Sequence, residues 1–276
     1  MAKSRRHHYI AEFYLRNFTE PMFGDNLFVY ESKTQKWDPR TPYGVGWFPH
    51  LYSMFDNSGE KTDSFEKFLG KYIETPLAPI MRKAATTPDA LTDKDRECIA
   101  MFIGVTTART PSTMKDTLNK FFSGLPINDM DELEKNTRLW CNVTDQDYTE
   151  KSKEDFFKPS IFGAILYWAA TLSYRSVKWN WTFVRTTRDC PFITSDSPAL
   201  LQKMNNIRFV TFPISSEIAV VISNAELRND RNGIKDVVAM NRGTLENAKE
   251  FVICHKKSFP CDDFLSQWVT KNSGNN

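Results

Sequence analysis

The stretch PSIFGAILYWAATLSYRSVKWNWTFVRT, residues 159–186, changes character part-way along, and that change decides the fold class. Its first half places Phe162, Ile165, Leu166, Trp168 and Leu172 around an almost wholly apolar helix. The pattern predicts a helix near 159–176, opened by Pro159 and central to the core, with Ile161 to Leu172 among the most buried residues. From Trp179 to Thr186 aromatic and β-branched residues alternate instead, which predicts a strand. Further strands follow at Phe192–Thr194, Arg208–Phe212, Ile218–Ile222 and Phe251–Cys254, with one helix between them near 234–249.

Upstream the order is reversed. Tyr9, Phe13, Tyr14 and Phe18 mark a short amphipathic helix, and NLFVYE (26–31) and residues 36–40 read as paired strands around the turn SKTQ. The prolines and glycines of 39–50 predict a loop. Phe65, Phe68, Leu69, Tyr72 and Ile73 recur at helical spacing from a cap at Asp63 or Ser64, and Pro76 and Pro79 are expected to break or kink that helix. Thr92 followed by Asp95 announces the next helix, which Pro111 ends near Arg109, and another spans 113–122. Residues 126–158 are acid-leaning and read as solvated faces and loops. Strands, a helical block over roughly 63–176, then strands again predict an α+β protein. The expected architecture is one domain over 1–276, a mostly antiparallel sheet from the N- and C-terminal segments with the helices inserted between them.

Composition narrows the function classes. A net charge of +2 is too balanced to argue for a nucleic-acid or membrane partner by itself, and leaves room only for a local basic site. No apolar run follows MAKSRRHHYI, and none reaches the roughly 18 residues needed to span a bilayer. A cytoplasmic protein is expected. Cys98, Cys141, Cys190, Cys254 and Cys261 are odd in number and never at CxxC spacing, so reduced thiols are expected. There is no phosphate loop, dinucleotide fingerprint or HExxH, which weakens nucleotide-hydrolase, dehydrogenase and zinc-protease readings.

Four segments in order, RRHHYIAEFYLRNF (5–18), SFEKFLGKYIE (64–74), Arg109-Thr110-Pro111 and FITSDSPA (192–199), with Met240-Asn241 after them, resemble the bacterial family called domain of unknown function 4238. The resemblance covers nearly the whole chain. One departure is that the family pattern has proline where this chain has Ala11. The resemblance implies an architecture and a short list of residues, but no reaction.

Those residues can carry chemistry. His7 and His8 would point to opposite sides of an extended segment, so one can line a site as proton acceptor or metal ligand while the other packs. Glu66 and Glu74 lie eight residues apart, roughly 80° around a helix axis, and both can border one groove. Glu74 can bind metal, orient a histidine or pair with Arg109. Arg109 at a helix end is either a dipole partner or an anion clamp. Asp196 is a candidate base or metal ligand and Ser195 a candidate polar contact, although both also suit a turn leaving the sheet. Arg175, Lys178, Arg185, Arg188, Lys203 and Arg208, with Trp179 and Trp181 interleaved, form either a stacking and phosphate-binding surface or part of the core.

Two functions are expected from these sets. The first is a phosphodiester-acting, nuclease-like enzyme, with His8, Glu74 and Asp196 catalytic and Arg109, His7 and Ser195 on the substrate. It would work with a divalent metal on Glu74 and Asp196 or with His8 alone as base, and a toxin or phage-defence setting would suit it by analogy. Its partner would be nucleic acid or another phosphate-bearing ligand. The second is a non-enzymatic binding or regulatory module in which the same residues form a structural network. On the first reading, Arg109→Ala should lose function before it loses fold.

Overall fold

The computed structural model describes residues 6–257 except 21, 23, 56–59, 124–133, 136, 139–140, 142–147, 187–189, 205 and 227–233. Arg5, Arg188, Cys261 and much of the acid-leaning 126–158 segment lie outside the described residues.

The fold is α+β, with antiparallel sheets built from the two ends of the chain. Strands β2 (Leu27–Glu31) and β3 (Lys36–Arg40) pair with β12 (Phe251–Cys254) and β8 (Thr194–Ser195) in the order β3-β2-β12-β8. A second sheet, β7-β11-β10-β9, comes from the C-terminal half alone: β7 (Asn180–Arg185), β9 (Leu200–Met204), β10 (Ile207–Pro213) and β11 (Ile218–Ser223). Short pairs join β1 (Arg6–His8) to β4 (Trp47–Pro49) and β5 (Met54–Phe55) to β6 (Lys61–Thr62). The loop expected over 39–50 therefore contains a strand. Gly46, at φ +68°, turns the chain into it, and its carbonyl accepts from the N–H groups of Tyr9 and Ile10 at 2.8 and 3.1 Å. A Cβ there would meet Ile10 Cβ at 2.8 Å, so both the backbone angle and the close approach require glycine.

The inserted helices are α2 (Ser64–Phe68), α3 (Thr75–Thr86), α4 (Asp93–Ala108), α5 (Pro111–Ser123) and α6 (Glu150–Ser176). A short α1 (Glu12–Leu15) precedes them and α7 (Ile234–Asn247) follows. Pro76 and Pro79 do not break the first of these helices. A π turn over Leu69–Glu74 carries the chain from α2 into α3, Pro76 sits in the first turn of α3 where its missing N–H costs nothing, and Pro79 is tolerated one turn in. Thr92 and Asp95 form the expected reciprocal cap on α4, at 3.2 Å for Asp95 N–H to Thr92 Oγ1 and 2.9 Å for Thr92 N–H to Asp95 Oδ2. Arg109, at φ −93° and ψ 1°, ends α4 before Thr110-Pro111.

α6 departs from its sequence reading. Ile161, Phe162, Ile165 and Ala169 are buried on one stripe, against Tyr52, Phe65, Leu69 and Val105. Tyr167, Trp168 and Tyr174 on the other side are 73%, 62% and 73% exposed. The helix packs against α4 on one face only, so its second apolar face is uncovered rather than central. Close packing on the first face depends on Gly104, where a Cβ would meet the Ala169 Cα at 2.5 Å.

The main core runs through the N-terminal segment. Ile10, Ala11, Tyr14, Leu15 and Phe18 are all fully buried, among Leu27, Phe102, Phe212 and Ile253. Ala11 is extended at φ −63°, the value that proline fixes, so the departure from the family's proline leaves the backbone path unchanged.

Candidate functional site

β1 turns His7 inward and leaves His8 half-buried. Tyr52 N–H donates to His7 Nδ1 at 2.8 Å, which places the ring proton on Nε2, 3.2 Å from Asp63 Oδ1. Asp63 was expected to cap α2. It occupies the cap position without a side-chain cap bond, and its carboxylate instead faces His7 and accepts from Ser53 Oγ at 2.8 Å. The His7 ring also stacks on Tyr52, with centroids 5.7 Å apart. His7 is thus held by a hydrogen bond on Nδ1 and faces the Asp63 carboxylate with Nε2.

His8 donates from Nε2 to the Tyr43 carbonyl at 3.1 Å, leaving Nδ1 as its basic nitrogen. Burial pushes its pKa below the ordinary histidine value, against the Tyr43 bond and the charges of Glu12 and Glu74. Beside it, Arg109 is fully buried. Its Nε donates to the Tyr9 carbonyl at 2.8 Å and its Nη1 to Glu74 Oε1 at 2.6 Å. Among the described residues its Nη2 has no hydrogen-bond partner. Glu66 completes the cluster. Burial pushes its carboxyl up to about 7, with Glu74 adding to the rise, while Arg109 and the His8 backbone N–H oppose it. The π turn between Glu66 and Glu74 removes the regular helical spacing, and both carboxylates act on the same guanidinium.

Asp196 and Ser195 sit in a different setting. Ser195 is fully buried on β8, opposite Val252, and its Oγ accepts from Ser197 N–H at 3.1 Å. Asp196 Oδ1 accepts from Lys249 N–H at 2.9 Å and Oδ2 from Glu250 N–H at 2.8 Å, fixing the turn from α7 into β12. Burial nevertheless pushes its carboxyl up to about 7, outweighing those bonds. Asn241 clamps the same segment from α7: its Oδ1 accepts from Ile193 N–H at 3.1 Å and its Nδ2 donates to the Pro191 carbonyl at 2.8 Å. Sequence reasoning marked Met240-Asn241 but assigned it no role, and only the fold could reveal this one.

Tyr9, Thr110, Pro111 and Asp196 line one recess with Lys249 and Glu250, so three of the segments carrying the family resemblance meet there. The recess holds about 40 Å³, well below the roughly 300 Å³ at which ligand pockets begin. Among the described residues no hydrogen bond or ion pair joins Glu74 and Asp196, and no three His, Cys, Asp or Glu side chains are placed to hold a metal ion. Glu74 Oε1 is held by Arg109, and both Asp196 oxygens accept from backbone N–H groups.

The family described as "Protein of unknown function (DUF4238)" matches residues 6–258. The chain belongs to that family. Comparison with curated proteins and with solved structures finds no match. No helix among the described residues is long and apolar enough to cross a membrane. Among the described residues Cys98, Cys141, Cys190 and Cys254 form no disulfide.

Proposed function

We propose that this family member is a non-enzymatic binding module for a phosphate-bearing ligand, in which His7, Asp63, Glu74, Arg109, Ser195 and Asp196 form the internal network that holds the N-terminal segment, helices and sheets together. The burial of Arg109 carries the reading. A guanidinium with no exposed surface, tied to the Tyr9 carbonyl through Nε and to Glu74 through Nη1, spends two of its three nitrogens inside the fold. The test is a hydrolysis screen of RNA and DNA oligonucleotides, with and without Mg²⁺ or Mn²⁺, on the parent protein beside His8→Ala and Glu66→Gln. The expected result is no cleavage above a heat-inactivated control. Cleavage abolished by either substitution would overturn the proposal.

A second reading rests on one observation. Glu66, with its carboxyl near 7, lies with the basic Nδ1 of His8 and the uncommitted Arg109 Nη2 in a half-open cluster. That combination supports a metal-independent phosphodiester-acting enzyme, with His8 or Glu66 as base and Arg109 facing developing charge. The same screen decides it.

A further inference from the structure

The uncovered face of α6 and the open edge of the second sheet border a cleft of about 300 Å³, distinct from the histidine cluster. Trp168 and Arg175 come to it from α6, Trp179 from the exit of that helix, and Lys203 and Arg208 from the β9–β10 hairpin. We propose that this cleft binds single-stranded nucleic acid, with phosphates on Arg175, Lys203 and Arg208 and a base stacked on Trp168. The inference rests on the binding-module reading and names its ligand.

Three observations carry it. Lys203 and Arg208 are direct cross-strand partners at the sheet edge, an arrangement of like charges that is unfavourable in the free protein and is relieved by an anion between them. Among the described residues, none of Arg175, Lys203 and Arg208 joins an ion pair and no carboxylate lines the cleft. Apolar surface here is open rather than spent on the core: Trp168 is 62% exposed and Leu201 46%.

The geometry selects the ligand class. A duplex hides the faces of its bases, whereas an unpaired base offers a face to an exposed indole, and a concave basic groove tracks a single backbone. Past Trp168, Leu172 and Leu201 the cleft opens into an apolar cavity of about 220 Å³ between α4, α5 and α6, walled by Gly104, Ile161 and Ile165. A base stacked on Trp168 faces that cavity. Its walls are apolar and the Thr107 and Thr117 hydroxyls already donate to backbone carbonyls, so the contact discriminates weakly among bases.

The experiment measures fluorescence anisotropy of labelled 12-nucleotide single strands, RNA and DNA, with the full chain. Three phosphate contacts give a salt slope of about −2, so affinity should fall on the order of 20-fold between 50 and 200 mM salt. Trp168→Ala should weaken binding about 10-fold with the slope unchanged. A Lys203→Glu, Arg208→Glu double variant should weaken it further and flatten the slope. Circular dichroism establishes that both variants fold, as exposed positions permit. Equal binding by Trp168→Ala, a preference for the duplex, or equal binding of polyglutamate or of anionic phospholipid vesicles would overturn the proposal. Recovering the oligonucleotide after the measurement separates the two readings. Intact but unbound strands sink the cleft alone, whereas cut strands sink the binding-module reading.

Discussion

Arg109 has no exposed surface, and its removal would leave Glu74 without its cation and the Tyr9 carbonyl without its donor. Breaking a buried pair from one side costs roughly 3–5 kcal/mol, and the partial exposure of Glu74 puts this one near the lower end, about 3 kcal/mol. Arg109→Ala should therefore lose fold before any function, the reverse of what the sequence suggested, and urea denaturation measures it. A loss under about 1 kcal/mol would show that the pair is dispensable. Pro111 made the helix end at Arg109 legible in the sequence. The Glu74 pairing was one of the readings open from the sequence, whereas the Tyr9 carbonyl, 100 residues away, left no local spacing to find it by. Glu66 supports a second prediction. A carboxyl whose folded pKa is raised holds its proton more tightly when folded, so its stabilising contribution is complete below the unfolded value and is lost as pH rises through the folded one. For Glu66 that window runs from its ordinary 4.5 to about 7, and for Asp196 from 3.8 to about 7, in both cases mainly because of burial. The melting temperature should fall between pH 5 and pH 8, and Glu66→Gln should shrink that fall. An undiminished fall in the variant would mean that Glu66 titrates normally.

At the scale of elements, the contact of α4 with α6 turns on one glycine. A Cβ at Gly104 would fall 2.5 Å from the Ala169 Cα, and backbone cannot yield as a flexible side chain does. Gly104→Ala gains helix propensity, yet it should destabilise by about 1–3 kcal/mol because the helices must separate. Thermal unfolding tests the sign, and a variant more stable than the parent would refute the close approach. Elements whose signal is local were legible: the Thr92–Asp95 cap, the 27–31 and 36–40 hairpin, and the run 218–222 within β11. The failures share a cause. Periodicity shows that α6 is apolar on several faces but not which of them finds a partner, so Trp168 and Tyr167 read as core when they border an open surface. The π turn at 69–74 was hidden for a related reason. Two prolines signal a break, and nothing nearby signals that a wider turn will absorb them.

At the scale of the molecule, the two four-stranded sheets share no strand, and residues 9–18 tie them together. The Tyr14 hydroxyl donates to the Pro213 carbonyl in the second sheet at 2.9 Å, and 2.7 Å separates it from Thr194 Oγ1 in the first. With its proton committed to the carbonyl, Tyr14 accepts from the threonine. Asn17 adds a second tie, donating from Nδ2 to the Ile214 carbonyl at 3.0 Å and accepting from Ser216 N–H at 3.2 Å. Phe13 and Tyr14 meet Phe102 of α4 with ring centroids 5.2 and 6.0 Å apart, so the helices join the same junction. Neither sheet can lose its packing without exposing this segment, which predicts one cooperative unfolding transition. Tryptophan emission, weighted by Trp179 and Trp181 beside the second sheet and Trp37 on the first, should change at the same urea concentration as far-ultraviolet circular dichroism. Tyr14→Phe removes the bridging hydroxyl and leaves a buried carbonyl and a buried threonine short of a partner, at a cost of about 1–3 kcal/mol. If the segment is the tie, that variant should lower the midpoint of both probes together. Separate midpoints in the parent, or a shift of only one probe in the variant, would mean that the sheets fold independently and that residues 9–18 belong to one of them.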